Sequence, residues 1–242
     1  MRYTFLSFIL LLSVSMLAQS KGYMGKRFII SLSGMYMPAT EPTARKLDGF
    51  KLNTTHTAGI EFVAGNETSL CASAGYFKTG LGFSQRSYTS NNYGVFYDGN
   101  KDVPITISIR QYSIGIKKFR RGAVAPLGIY LKWELIYQQG TVDFNKDNFF
   151  ILTQSSTGVL NHLHPSSGSI PYNAFGAGFS LGFQRVFYDR MVLDYGIRGS
   201  ITADRNGFFG DYVEREIVVN AYNRVAGHQL LNFRIAIGFL AF

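Results

Sequence analysis

The last stretch of the chain alternates between large apolar side chains and small or polar ones. From Phe233 to Phe239 the odd positions are Phe, Ile, Ile and Phe, and the even positions between them are Arg234, Ala236 and Gly238. A period of two residues is typical of a β-strand with two different faces. A soluble sheet would carry long charged side chains opposite its buried face. This pattern instead predicts a strand that faces lipid outward and a narrow, packed lumen inward.

Seven further segments repeat the alternation, so the chain is predicted to contain eight strands. The eight segments cover approximately residues 27–37, 56–63, 70–77, 105–116, 129–137, 175–187, 191–201 and 233–242. In the fourth, the apolar positions change from odd to even after Ile109, which predicts a single β-bulge around Arg110 and Gln111. In the eighth, Leu240 falls on the polar face, which predicts a bulge near Phe239 or fraying of the last three residues.

The predicted connections alternate between short and long. Residues 64–67, 117–126 and 188–190 form short links, whereas residues 39–55, 84–104, 140–172 and 202–229 form long polar ones. This arrangement is typical of transmembrane barrels, which have short periplasmic turns and long extracellular loops. An even strand number would place both chain ends in the periplasm. The basic run 117–121 is then predicted to be a solvated or headgroup-facing end of a turn.

The first twenty residues read as a targeting segment. Arg2 precedes an apolar stretch from 3 to 17, and Ala18-Gln19-Ser20 forms a small-x-small cleavage site. An uncleaved anchor is the alternative, but the apolar run is shorter than the roughly 20 residues that a membrane helix needs. We therefore expect residues 1–20 to be a cleaved signal peptide and residues 21–242 to form one barrel domain.

Composition supports a chain that meets lipid. Only 16% of residues are charged and 15% are aromatic, with 26 glycines and a net charge of +9. Soluble domains carry about 25% charged residues. No apolar run after residue 20 reaches the length of a membrane helix, so a closed barrel is the remaining way to span a bilayer. The single cysteine, Cys71, cannot form an internal disulfide. The sequence thus predicts an all-β fold, an eight-stranded antiparallel up-and-down transmembrane β-barrel.

Charged residues fall on the predicted inward faces of five strands. They would be costly to bury alone, so we expect them to pair across the lumen. An ion path is the other interpretation, but eight strands enclose only enough space for side chains, and open channels need about 16. The predicted lumen charge network consists of Glu61, Arg110, Lys132, Glu134, Asp194, Arg198 and Arg234.

The C-terminal end of the chain resembles a known sequence signal. An aromatic C-terminal residue that closes an amphipathic strand resembles the closing-strand signal of bacterial outer-membrane β-barrels. This resemblance implies that Phe239 and Phe242 are read by the barrel-assembly machinery. The whole pattern resembles the small OmpA/OmpX-like family, and also the outer-membrane barrels of Bacteroidetes-type bacteria, including the PorT-like group linked to protein secretion. It implies contact with outer-membrane lipid and lipopolysaccharide.

No catalytic, metal or cofactor site is predicted. His162 and His164 invite a metal or nucleophile interpretation, but no carboxylate stands at ligand spacing beside them. Some related barrels deacylate lipid A and resemble one another in a His-x-Ser pair on the last strand. Here that strand reads Asn232-Phe233-Arg234. We therefore expect that the protein is not an enzyme. The alternative is an enzyme that modifies lipid A. A secreted chain without a recurring basic and aromatic platform is also not expected to bind nucleic acid.

The long connections contain apolar residues that inert tails would lack. Residues 149–152 and 217–219 are the clearest examples, and extension of the strands beyond the membrane is favoured over docking, with 214–220 as a candidate extension. We therefore expect a structural, adhesive or complex-forming protein that acts through its extracellular loops, and docking of a protein partner at these loops is the second interpretation. A soluble periplasmic lipocalin-like carrier, with its apolar residues turned inward, is the other alternative.

Overall fold

The structure, a computed structural model, describes most of the chain. The described residues are 24–38, 52–91, 94–120, 124–145, 151–154, 160–163, 168–204 and 212–241. The predicted signal peptide and the C-terminal Phe242 lie outside these ranges.

Ten strands and one helix make up the described part of the chain. The strands are β1 (Phe28–Pro38), β2 (Leu52–Val63), β3 (Thr68–Asn91), β4 (Gly94–Phe119), β5 (Gly128–Phe144), β6 (Ile151–Gln154), β7 (Leu160–Leu163), β8 (Ser169–Phe187), β9 (Met191–Asp204) and β10 (Asn232–Ala241). The helix α1 (Tyr212–Leu230) lies between β9 and β10.

Eight of the strands close into an antiparallel barrel, as predicted. Its order is β1-β10-β9-β8-β5-β4-β3-β2, and β1 pairs with both β10 and β2. Each barrel strand therefore neighbours the barrel strands before and after it in sequence, which is the up-and-down arrangement. Closure leaves no unpaired sheet edge. The eight-stranded fold class is confirmed.

The sorting of short and long connections is also present. Residues 64–67, 120–127 and 188–190 join strands at one end of the barrel, which we call the turn end. In the tightest of these turns, Tyr188 and Asp189 both have positive φ, of 49° and 56°. Two successive residues with positive φ give a turn whose twist matches that of the flanking antiparallel strands. The opposite end, which carries the longer connections, is called the loop end.

Three of the long connections contain regular structure that was not predicted. The 84–104 segment is largely strand, because β3 continues to Asn91 and β4 begins at Gly94. In the third connection, β6 and β7 form a separate two-stranded sheet. The predicted strand extension over 214–220 is wrong, since these residues lie within α1.

The β-bulge predicted near Arg110 and Gln111 is also wrong. The ladders of β4 with β3 and β5 continue through this region, and the register shift between β3 and β4 lies at Ser87 and Tyr88. The apolar parity changes because the inner face of β4 changes from polar to apolar. Ile105, Ile107 and Ile109 point inward and are at most 1% exposed.

The last strand needs neither a bulge nor fraying. β10 pairs regularly with β1 as far as residue 241. Phe239 faces outward, whereas Leu240 is buried and packs with Ile29 and Val192 at the turn end. An apolar residue on the inward face of β10 is therefore part of a small cluster inside the barrel.

Candidate functional site

The outer surface of the barrel is a belt of exposed apolar side chains. All eight barrel strands contribute to it, and on β5 the outward Trp133 and Leu135 alternate with the buried Lys132, Glu134 and Ile136. Exposed members of this outer belt include Leu32, Ile60, Leu70, Ile114, Ile116, Trp133, Leu135, Phe179, Leu181, Ile197, Phe233 and Ile237. The faces of the sheet are thus inverted relative to a soluble protein, in which such residues meet in the interior.

A buried lysine lies at the centre of the lumen near the turn end. Lys117 Nζ contacts Glu61 Oε2 at 2.7 Å and Asp194 Oδ2 at 3.1 Å, and donates to Gln184 Oε1 at 2.5 Å. The same nitrogen lies 4.3 Å from the centre of the Tyr130 ring. This group, the Lys117 cluster, joins side chains from β2, β4, β5, β8 and β9 across the barrel.

Asp194 is shared between two cations of this region. Its Oδ2 atom also contacts Arg234 Nη1 at 3.2 Å, and its Oδ1 atom accepts a hydrogen bond of 2.5 Å from Tyr130 Oη. Both oxygens of this buried carboxylate are therefore engaged. Saturation of this kind is what allows an ionised group to remain in a narrow interior.

A second cluster surrounds Glu134. Lys132 Nζ lies 2.5 Å from Glu134 Oε2, and Arg198 Nε pairs with Glu134 Oε1. Ser113 Oγ donates to Glu134 Oε2 at 3.4 Å. Counted together with Arg234, the two clusters pair four cations with three carboxylates, so the clusters carry a slight excess of positive charge.

The structure brings six of the seven residues predicted for the charge network into the lumen. Arg110 is the exception, because it is exposed on the outer face of β4. Its predicted inward position depended on the bulge that the structure lacks.

Lys117 lies in the lumen, which was not predicted from the sequence. It was assigned to a solvated turn, but β4 continues past it to Phe119. A signal was available, since Lys117 has the opposite parity to the outward Ile114 and Ile116. Extending the alternation by one residue would have placed Lys117 in the lumen.

Little free space remains among these side chains. A cavity of about 30 Å³ lies between the two clusters and is lined mainly by polar and charged groups, Cys71 among them. This volume corresponds to a few water molecules at most. In the part of the lumen that the structure describes, the charges therefore form a filled interior and not an open ion path.

The loop end of the lumen is apolar and is filled by α1. Ile217, Ala221 and Val225 recur every four residues along one face of the helix and are completely buried. They pack with inward residues of the barrel in one cluster, whose barrel members are Phe77, Leu81, Ile105, Ile107, Ile109, Val142, Phe144, Ile170, Tyr172 and Ala174. The helix therefore plugs the barrel from the loop end.

Hydrogen bonds hold the C-terminal turn of α1 against the barrel wall. Gln229 Nε2 donates to Gln111 Oε1 at 2.7 Å, and Ser200 Oγ donates to Gln229 Oε1 at 2.9 Å. His228 Nε2 lies 3.0 Å from Thr79 Oγ1. Burial, together with the nearby Arg224, lowers the pKa of His228 to about 4. The imidazole is therefore neutral when the helix is docked at neutral pH.

The remaining predicted features are placed as follows. Phe239 lies in the outer belt, and its role with Phe242 in assembly stays a prediction. His164 and the side chain of His162 lie outside the described residues. Among the residues that the structure describes, no group of three or more His, Cys, Asp or Glu could hold a metal ion. None of the described helices is long and apolar enough to cross a membrane.

Removal of the Lys117 ammonium should destabilise the barrel. Lys117→Met leaves Glu61 and part of Asp194 buried without a counter-ion, and we expect a loss of roughly 3–5 kcal/mol in the free energy of unfolding. Urea unfolding in detergent micelles, followed by the gel mobility of the folded barrel, measures this. The matched control is Lys118→Met, which removes an exposed lysine from the same strand. Equal stability of the two variants would contradict the role of the Lys117 cluster.

Acidification should release the plug helix. Because the pKa of His228 is lowered on docking, the stability that it contributes is complete above about pH 6.5 and is lost as pH falls toward 4. Hydrogen exchange of residues 212–230, corrected for the intrinsic effect of pH, should show protection at pH 7.5 and much less at pH 4.5. His228→Gln should flatten this dependence. Unchanged protection of the wild-type helix at pH 4.5 would refute the expectation.

Comparisons with known proteins yield structural likenesses. The chain is similar to the attachment invasion locus protein Ail of Yersinia pestis, solved in complex with the heparin analogue sucrose octasulfate, with a TM-score of 0.41 and 12% identity over 88% of this chain and 97% of that chain. It is likewise similar to Neisserial surface protein A, with a TM-score of 0.41 and 10% identity over the same shares. No protein-family model and no curated protein sequence matches the chain.

Proposed function

We propose that the chain is an integral β-barrel protein of a bacterial outer membrane with a closed lumen. The observation that carries this proposal is the inversion of the two faces of the barrel. Large apolar side chains such as Leu135 are exposed on the outside, while Lys117 and Glu134 are buried inside. Burying apolar surface contributes about 25 cal/mol per Å², so a belt of this size would be strongly unfavourable in water and favourable in hydrocarbon.

The same observation argues against a soluble lipocalin-like carrier. Such a carrier would need an apolar cavity that opens to solvent inside the barrel. The apolar part of this lumen is already occupied by Ile217, Ala221 and Val225 of α1. The polar part is filled by the two ion clusters.

The loop end is the part of the barrel that we propose to act on other molecules. The short turns would face the periplasm together with both chain termini, and the loops would face outward, as in transmembrane barrels generally. The long β3–β4 ribbon and the β6–β7 hairpin would then provide a structural, adhesive or complex-forming surface. We also propose that the barrel-assembly machinery inserts the protein. A relationship to Bacteroidetes-type or PorT-like barrels is part of the same proposal.

We further propose that the protein is not an enzyme. The two ion clusters use their charged groups on one another, and the described lumen has no room for a substrate. Mass spectrometry of lipid A from a deletion strain tests the principal alternative. An unchanged lipid A profile is expected, and a deletion-dependent change in acylation would overturn this part of the proposal.

Membrane fractionation tests the main proposal. The protein should stay in the membrane pellet after carbonate and urea washing, dissolve only in detergent, and migrate faster on gels when it is not heated. Reconstituted in a planar bilayer, it should show no steady conductance, because the lumen is filled. Release into the aqueous fraction without detergent would contradict membrane integration. A stable open channel would contradict the closed lumen.

A further inference from the structure

The outer belt is not uniform, because one sector of it carries small residues. Ala58 on β2 and Ala72 and Ala74 on β3 lie between the larger side chains of neighbouring strands. They form the floor of an apolar groove of about 720 Å³, which Tyr112 and Ile114 of β4 flank. We call this the loop-side groove.

A second groove, of about 880 Å³, continues from the first toward the turn end. It is lined by Leu70, Ile116 and Trp133, among others. The two grooves share four lining residues, Ile60, Ala72, Ile114 and Leu135. They therefore form one continuous, open depression along the outer face of the barrel.

Two cations stand at the loop end of this depression. Arg110 is the next outward residue after Tyr112 on β4, about 7 Å further along the strand. Lys78 on β3 is diagonal to Arg110 in the ladder, because Lys78 is opposite Ser108 and Tyr76 is opposite Arg110. Diagonal neighbours of this kind lie about 7–8 Å apart. Both side chains are exposed.

These cations are available to a ligand. Among the described residues, neither Lys78 nor Arg110 makes an ion pair. Asp143 on the adjacent strand lies opposite Thr106, two outward positions beyond Arg110, and its oxygens accept hydrogen bonds from Ser169 at 2.5 Å and Thr141 at 3.0 Å. Both carboxylate oxygens of Asp143 are thus bonded to hydroxyl groups of neighbouring residues.

Aromatic rings mark the border between the apolar grooves and the cations. Tyr112 and Tyr137 stack with ring centres 6.4 Å apart, and Tyr137 packs on Phe175 at 4.8 Å. Tyrosine rings with one apolar and one polar end are typical of the level at which lipid headgroups begin. Lys78 and Arg110 therefore lie at headgroup height when the belt lies in hydrocarbon.

We propose that this sector binds a phosphorylated, multiply acylated glycolipid of the lipid A class. Its acyl chains would lie in the two joined grooves, and its phosphates would meet Lys78 and Arg110. Two separate cations above a depression wider than one groove fit a bisphosphorylated, many-chained lipid better than a two-chained lipid with a single phosphodiester. The inference rests on the proposed membrane location, with the loop end facing the outer leaflet.

Native mass spectrometry of the detergent-solubilised full barrel tests the cation site, with bisphosphorylated lipid A as the probe. The double variant Lys78→Gln/Arg110→Gln should bind lipid A about thirtyfold more weakly than the wild type, because each basic residue near an anionic lipid surface contributes about 1 kcal/mol. The matched control, Lys118→Gln/Arg185→Gln, removes two exposed cations near the turn end and should bind as the wild type does. Equal loss in both double variants, or a loss below about threefold in the first, would overturn the proposal.

A second pair of variants tests the grooves. Ala72→Leu fills the point at which the two grooves join and should weaken lipid A binding, whereas Ala203→Leu adds the same volume to an exposed position on β9 outside both grooves and should leave it unchanged. Phosphatidylglycerol should bind more weakly than lipid A. Equal binding of phosphatidylglycerol, or no effect of Ala72→Leu, would refute the assignment to lipid A.

The two proposals can fail separately. A protein that needs detergent and shows the heat-dependent gel shift, yet binds lipid A independently of Lys78 and Arg110, would refute this inference alone. A protein that is soluble without detergent would refute the membrane location, and this inference with it.

Discussion

Charges that are buried in a narrow lumen must find their partners there, and the rest of this barrel depends on how they do so. Lys117 Nζ joins Glu61, Asp194 and Gln184, and so ties together strands that are distant in sequence. Removing one partner of such a cluster would leave an uncompensated buried ion, which is far more costly than losing an exposed one. The ion clusters therefore fix the inward register of the strands that contribute to them, β2, β4, β5, β8, β9 and β10, and a one-residue slip would reverse both faces of a strand at once.

The lumen has two parts with different chemistry. Near the turn end it is ionic, and near the loop end it is apolar and filled by α1. The two parts meet at Gln111, whose side chain accepts hydrogen bonds from Gln138 and from Gln229 of the helix. Together, the two parts close the lumen throughout the described part of the barrel.

Strand number, antiparallel order and the outward belt could be predicted from the sequence, because a period of two residues is a local signal. The two wrong bulge predictions, near Arg110 and near Phe239, share one cause, the assumption that every large apolar side chain on a strand faces outward. Ile107 and Ile109 face inward to contact α1, and this contact is not visible in a single strand. The assumption required a bulge, which placed Arg110 in the lumen. The helix was missed because apolar and polar residues also alternate within 214–220. This alternation hid the four-residue spacing of Ile217, Ala221 and Val225.

The outward apolar belt must lie in hydrocarbon if the barrel spans a membrane, and the single tryptophan reports on this directly. Trp133 is the only tryptophan in the chain and is 49% exposed within the belt. In reconstituted vesicles, its fluorescence should be strongly quenched by lipids brominated along their acyl chains and weakly by acrylamide in the water. Strong quenching by acrylamide with no effect of the brominated lipids would contradict the account.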